Sequence, residues 1–369
     1  MQKHFIKALN CILAANPFFF SCSAFDMTIS TRFSFGKESS AFSPVSPPIA
    51  ANLPGHGQRR QLAFPGTLNW FLFSAVALTT FCLGAFLRVS IPLVSTLPYV
   101  LIVLTCLLLE AYVGLRSSFS AIQRERLQLL LKGVVFIFLA LATLRVFNHL
   151  TMSLALPLAD PILDAWDKSL GLDWLGYFGF VQSHPVLAMI LKIAYVAFDG
   201  ASLLGFIALI FMGRTARARY FCEIFLITAT LSTAIALFFP ALAAVAHHFG
   251  PIDQIAGFGK APGVYHLKQL MALREAEFPS INLVSAAGLA TFPSFHTAGG
   301  ILLIAGFFRT PLSGLVTSFS LVMIASVPVF GGHYFVDVIA GTALAVTVSI
   351  LIACRPCYKG LFGADPAHH

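Results

Sequence analysis

The chain has 369 residues, of which 58% are hydrophobic and only 10% are charged, with a formal net charge of +8. Soluble domains carry roughly 25% charged residues, so this composition excludes an ordinary water-soluble globule. It also excludes a disordered chain, which needs low hydrophobicity. A polytopic membrane protein remains. Basic loops on one side of the membrane then explain the positive charge without a nucleic-acid partner.

Residues 1–66 differ in composition from the rest of the chain. They are rich in Ser, Pro, Gly and Phe and have no clean helical period. Lys3, Lys7, an apolar stretch and the Ser-Cys-Ser-Ala run at 21–24 loosely resemble a signal peptide. Cleavage there would invert the first span and contradict the charge distribution described below. We therefore predict an uncleaved, mostly disordered tail at 1–66 and a membrane domain at 67–369.

Eight apolar runs follow that suit membrane-spanning helices, since a span takes about 20 residues at a rise of about 1.5 Å each. No segment alternates polar and apolar residues over ten positions, as a β-barrel strand would. The sequence therefore predicts an all-α, polytopic integral membrane helix bundle of about eight spans. The runs cover 68–87, 92–115, 129–150, 186–212, 219–245, 295–308, 313–330 and 333–353.

Most basic residues of the short links between these runs fall on one side of the membrane when there are eight spans. Because Arg and Lys are retained on the cytoplasmic side, both termini are predicted to be cytoplasmic. The segment 246–294 then faces outward, to a periplasm or lumen. The residues on the basic side are Arg59, Arg60, Arg116, Arg124, Arg126, Arg214, Arg217, Arg219, Arg309, Arg355 and Lys359.

Two outward links carry the residues that indicate chemistry. Residues 291–297 read Thr-Phe-Pro-Ser-Phe-His-Thr just before span six, and residues 331–337 read Gly-Gly-His-Tyr-Phe-Val-Asp at the start of span eight. Under the predicted topology both lie at the outer ends of helices that are close in sequence. This coincidence is the main indication of a site.

His333 and Asp337 are spaced i, i+4, which places them on one helix face. A carboxylate that binds one imidazole nitrogen fixes the tautomer and leaves the other nitrogen as a nucleophile or base. An unpaired Asp in a membrane is costly, so Asp337 implies a partner. The same spacing also suits a structural pair that only caps the span.

His296 follows Pro293 and Ser294, which mark a helix start with Ser294 as the N-cap. Two helix N-termini, at spans six and eight, would then point backbone N–H groups into one outward pocket, an arrangement that suits phosphate. Two histidines, an aspartate and an anion site predict phosphoryl transfer without a metal or other cofactor. A metal is the competing use of such residues, although no further acidic or Cys ligand is evident nearby.

The stretches Phe292–His296 and Gly332–Asp337 resemble the second and third signature motifs of the type 2 phosphatidic acid phosphatase superfamily, and within it they are most similar to the inositol phosphorylceramide synthase branch. The likeness is specific over 291–341, and it extends weakly to 160–174 and 266–274. It implies a catalytic core of helices at about 186–354.

The resemblance also implies roles for individual residues. His333 would be the nucleophile that forms a phosphohistidine, Asp337 would orient it, and His296 would protonate the leaving group. Ser294 would bind the phosphate. The family uses no metal in this mechanism.

The chain departs from the family's pattern at two places. The third motif often has Ser-Arg ahead of the His, where this chain has Ser326 and Val327. The first motif is Lys, six residues and Arg-Pro; its nearest match is Lys268 with Arg274, one residue short and followed by Glu275. Lys268 and Arg274 are thus predicted phosphate ligands, with solvated charge on an outward segment as the alternative.

The predicted function is an inositolphosphotransferase-like enzyme that acts on a lipid phosphate or phospholipid head group at the outer face. Water as acceptor would make the protein a lipid phosphate phosphatase instead. A transporter is the alternative from another class, with Arg145, Lys192 and Asp199 along its substrate path. A transporter of this kind predicts inverted repeats, and the sequence has no convincing repeat.

Overall fold

A computed structural model describes residues 66–250, 254–358 and 361, with the side chains of 259 and 260 left out. The predicted tail at 1–66 thus lies outside the described residues, apart from Gly66. The described part is a helix bundle with one two-stranded ribbon. The predicted all-α membrane fold is confirmed.

The elements are numbered here in chain order. The helices are α1 Thr67–Phe86, α2 Leu93–Leu115, α3 Ala121–Ser153, α4 Asp160–Ser169, α5 Trp174–Gln182, α6 Pro185–Phe211, α7 Thr215–Ala236, α8 Ala244–Phe249, α9 Leu267–Glu275, α10 Phe295–Phe307, α11 Ser313–Phe330 and α12 Phe335–Ala353. The strands are β1 Gln254–Ile255 and β2 Gly259–Lys260, which pair antiparallel.

Seven of the described helices are long and apolar enough to cross a membrane: α1, α2, α3, α6, α7, α11 and α12. The sixth predicted run, 295–308, contains α10, which is apolar but has only 13 residues. At a rise of about 1.5 Å per residue, α10 is about 20 Å long, shorter than a hydrocarbon core of about 30 Å. The protein is an integral, multi-pass membrane protein.

The fifth run was predicted to continue to residue 245, but α7 ends at Ala236. The chain leaves the helix ahead of Pro240, which has no backbone N–H and disfavours helical geometry at the residue before it. The Pro240 carbonyl instead accepts a hydrogen bond from the Ala159 N–H at 2.7 Å. This break brings the chain back toward α4, and it opens the segment that contributes to the site.

Lipid-facing and buried helices are clearly separated. The α2 helix exposes most of its large side chains, including Leu93 at 85% and Leu115 at 87%. Such surface is stable only against lipid or protein. The α10 helix, by contrast, packs against α6, α7, α11 and α12. His296, in the first turn of α10, therefore lies on an enclosed helix of the bundle.

Candidate active site

The turn that links α11 to α12 carries His333, and glycines fix its path. Gly332 has φ +70°, the left-handed region that favours glycine. A β-carbon at Gly332 would lie 2.5 Å from the carbonyl oxygen of Gly263. The Gly332 carbonyl also accepts a hydrogen bond from the Ala244 N–H at 2.8 Å. The backbone next to His333 is thus held between two other segments, with no room for a side chain.

Gly332→Ala is therefore expected to destabilise the protein by about 2 kcal/mol and to lower activity, because both the left-handed backbone and the contact with Gly263 would be lost. Thermal unfolding in detergent and initial rates measure the two effects. The matched control is Gly179→Ala on α5, where an added β-carbon would meet no atom within 4 Å. Equal unfolding temperatures for the two variants would contradict the prediction.

Side chains from α4 and α5 hold the same turn. The Trp174 indole N–H donates to the His333 carbonyl at 3.0 Å. The Tyr334 hydroxyl donates to the Asp160 carboxylate at 2.9 Å. The same carboxylate accepts backbone N–H groups of residues 242–243 at 2.8 and 3.2 Å. Asp160 thus joins the loop after α7 to the turn that carries His333.

His333 and Asp337 form the pair that their spacing suggested. His333 Nδ1 lies 3.1 Å from Asp337 Oδ2, which also accepts the Tyr334 N–H at 3.1 Å. Both side chains are buried. Burial lowers the pKa of His333 to about 4, and a hydrogen bond with the Thr291 backbone opposes this shift less strongly. The imidazole is therefore neutral near pH 7, with Nδ1 held by Asp337.

His296 lies in the first turn of α10, on the same cavity as His333. Its ring stacks on Tyr195 at a centroid distance of 4.3 Å. The Ser294 N–H donates to the Asp337 carbonyl at 3.0 Å, so the start of α10 lies directly against α12. His296 and His333 line one cavity of about 550 Å³. The fold thus brings the two motifs to a common space.

The three predicted phosphate ligands do not line this cavity. The Ser294 hydroxyl is fully buried and accepts the Thr297 N–H at 3.3 Å, as the N-cap of α10. Lys268 is exposed on α9. The Arg274 guanidinium donates to the Leu156 carbonyl at 2.9 Å. A second guanidinium nitrogen of Arg274, Nη1, is buried without a hydrogen-bond partner among the described residues. Phosphate binding by Ser294, Lys268 and Arg274 stays a prediction.

The expectation that α12 points free N–H groups at a phosphate is wrong. The N–H groups of Phe335 and Val336 both donate to the Asp167 carboxylate at 2.8 Å. Burial raises the pKa of Asp167 to about 6, against the effect of these two hydrogen bonds. A carboxylate from α4 therefore occupies the helix end where an anion was expected.

His266, which was not among the predicted site residues, is a third histidine of the cavity. It precedes α9, is 2% exposed and lines the cavity with His296 and His333. Burial, and then the nearby charge of His333, lower the pKa of His266 to about 4. The only signal in the sequence was its position at the start of the weakly family-like stretch 266–274.

The other cavity walls come from α3 and α6. Arg145 and Asn148 on α3 and Asp199 on α6 line the cavity, whereas Lys192 lies exposed outside it. Among the residues that the structure describes, no group of three His, Cys, Asp or Glu side chains is arranged to hold a metal ion. The site thus combines three imidazoles, the Asp337 carboxylate that binds His333, the Asp199 carboxylate and the Arg145 guanidinium.

The family comparison matches the part of the chain that builds most of this site. The family model described as the PAP2 superfamily, the type 2 phosphatidic acid phosphatases, matches residues 162–351. That range runs from α4 to α12 and includes both motifs. No curated protein and no solved structure matches the chain. Since the match covers half of the chain, the chain belongs to the PAP2 superfamily.

Proposed function

We propose that the protein is a lipid phosphotransferase in which His333 attacks the phosphorus of a lipid phosphate or phospholipid head group. One observation carries the proposal: Asp337 holds His333 Nδ1 at 3.1 Å in a cavity that His296 also lines. Membership of the PAP2 superfamily supports lipid phosphate chemistry. The proposed mechanism uses side chains alone and no metal.

In the first step His333 Nε2 forms a bond to phosphorus, and the bond from phosphorus to the leaving oxygen breaks. Protonated His296 gives its proton to that oxygen and becomes neutral, while Asp337 stabilises the charge that develops on the His333 ring. In the second step an acceptor hydroxyl gives its proton to His296 and attacks the phosphohistidine. The phosphoryl group leaves with the acceptor, and His333 returns to its neutral form.

The acceptor is proposed to be an alcohol, such as inositol or another polyol. The motifs at 292–296 and 332–337 resemble the inositol phosphorylceramide synthase branch. The cavity of about 550 Å³ has room for a polyol beside a phosphate, within the usual range of ligand pockets of roughly 300–1,000 Å³. The proposal includes a site on the outer face with both termini in the cytoplasm, as the basic links predict.

Purified protein with phosphatidate and inositol is expected to transfer the phosphoryl group from the lipid to an inositol hydroxyl. Vanadate should inhibit, because it mimics pentacoordinate phosphorus, and a metal chelator should have no effect. Mass spectrometry of the lipid products measures transfer, and a colorimetric assay measures free phosphate.

Three outcomes would contradict the proposal in separate ways. Release of phosphate without transfer would identify a phosphatase of the same superfamily. A rate that a chelator abolishes would exclude the histidine mechanism. Solute flux that is insensitive to vanadate, without any turnover, would favour a transporter lined by Arg145 and Asp199.

A further inference from the structure

The histidine end of the cavity lacks a permanent positive charge. Burial keeps His266 and His333 neutral near pH 7, because the pKa of each lies at about 4. A phosphate that enters the cavity loses water and needs a cation to offset its charge. Among the lining side chains that the structure describes, Arg145 alone has a fixed positive charge.

Arg145 is available to a ligand. It is half-buried on α3, and one guanidinium nitrogen donates to the Tyr99 hydroxyl at 3.4 Å. The Tyr99 hydroxyl in turn donates a hydrogen bond to the Leu283 carbonyl at 3.3 Å. Within the described part of the chain, no carboxylate forms a salt bridge with Arg145. A guanidinium has five N–H donors, so most of them remain for an oxyanion.

Asn148 is a second, independent indication of a ligand on the same wall. It follows Arg145 by three residues, on the same face of α3. It is 7% exposed, and its Oδ1 accepts the Leu289 N–H at 3.0 Å. Its Nδ2 is buried and has no hydrogen-bond partner among the described residues, although Asn148 lines the cavity. A buried donor without an acceptor is costly, so an oxygen-rich ligand is the expected partner.

We propose that Arg145 and Asn148 form an oxyanion subsite that binds the phosphate of the lipid substrate. This inference rests on the proposed function and deepens it. Arg145 thus has the role of phosphate ligand, which the sequence predicted for Lys268 and Arg274. Both residues lie on α3, which ends at Ser153, and thus outside the range 162–351 that the family model matches.

The test compares binding and turnover in five variants, one of which, Arg274→Ala, addresses a phosphate ligand predicted from the sequence. Arg145→Ala is expected to weaken vanadate binding and to lower kcat/KM for the lipid phosphate about tenfold or more, since a charge-assisted contact is lost. Arg145→Lys should recover part of the loss, because it keeps the charge without the fork. Asn148→Asp keeps the acceptor for Leu289 but replaces the donor by an anion, and it should also weaken binding. Lys132→Ala is the control: Lys132 lies on α3, pairs with Glu110 at 3.2 Å and does not line the cavity.

Binding is measured by the shift in unfolding temperature that vanadate or a short-chain phosphatidate produces. A neutral diacylglycerol is the reference ligand, and the unfolding temperature without ligand checks each fold. A second series uses a lipid diphosphate. If Arg145→Ala weakens the binding of phosphatidate and of the lipid diphosphate equally, the subsite binds the phosphate that reacts. If it weakens the binding of the diphosphate alone, the subsite binds the distal phosphate, and the proposal is contradicted.

The subsite is overturned if Arg145→Ala and Asn148→Asp fold and bind both phosphates as the wild type does, or if only Arg274→Ala weakens binding. Failure of the proposed function gives a different result. If the wild-type protein binds phosphatidate through Arg145 but neither transfers nor hydrolyses it, the subsite stands and the proposed enzymatic function is contradicted.

Discussion

His333→Ala is expected to reduce kcat about 10⁴-fold, because the nitrogen that forms the bond to phosphorus is removed. No phosphoenzyme should form. With a radiolabelled lipid phosphate, the wild-type protein should trap an acid-labile, base-stable label, as a phosphohistidine does, and the variant should trap none. His184→Ala is the matched control, since His184 is exposed and its ring contacts the Phe180 carbonyl at 2.8 Å, outside the cavity.

Asp337→Asn separates orientation from nucleophilicity. The carboxamide has nearly the same shape, but it no longer stabilises the positive charge that develops on His333. It is expected to lower kcat by several orders of magnitude with a small change in KM. A His333→Ala variant that keeps wild-type turnover, or a label that survives in that variant, would exclude His333 as the nucleophile.

Asp160→Ala is expected to destabilise the protein by about 3 kcal/mol or more, because it leaves three buried donors without an acceptor. Asp160 is 3% exposed, and its carboxylate binds the N–H groups of residues 242–243 and the Tyr334 hydroxyl. Activity should fall as well, since Tyr334 adjoins His333. Denaturant titration in detergent measures the free energy of unfolding.

The control for Asp160 is Asp173→Ala. The Asp173 carboxylate accepts a single hydrogen bond, from the Gly176 N–H at 2.8 Å, as an exposed N-cap of α5. Loss of such a cap costs about 1 kcal/mol. Equal losses of stability in the two variants would mean that Asp160 acts only as a local cap, and that it does not join two segments of the fold.

The spans were predictable because hydropathy reports membrane burial directly. Each predicted run overlaps one of the helices α1, α2, α3, α6, α7, α10, α11 and α12. The His333–Asp337 contact was predictable because a separation of four residues is local. The end of α7 was missed because the residues after Ala236 stay apolar up to Pro240, so hydropathy did not mark the break.

The remaining site residues depend on contacts that only the fold creates. Asp160 and Asp167 both bind backbone N–H groups more than 80 residues away, which no local pattern in the sequence indicates. Arg145 and His266 reach the cavity from separate segments of the chain. No local pattern could show which of the polar residues would share a wall with His333.

In the proposed mechanism, the short α10 helix sets the depth in the membrane at which the reaction occurs. Its last turn is followed by Arg309, a residue that favours the membrane boundary, while His296 occupies the first turn. A helix of about 20 Å that starts from one boundary stops about 10 Å below the other. A lipid that delivers its phosphate to His296 must therefore sink its polar head well beneath the interface, and the bilayer around the entrance is expected to thin or admit water there.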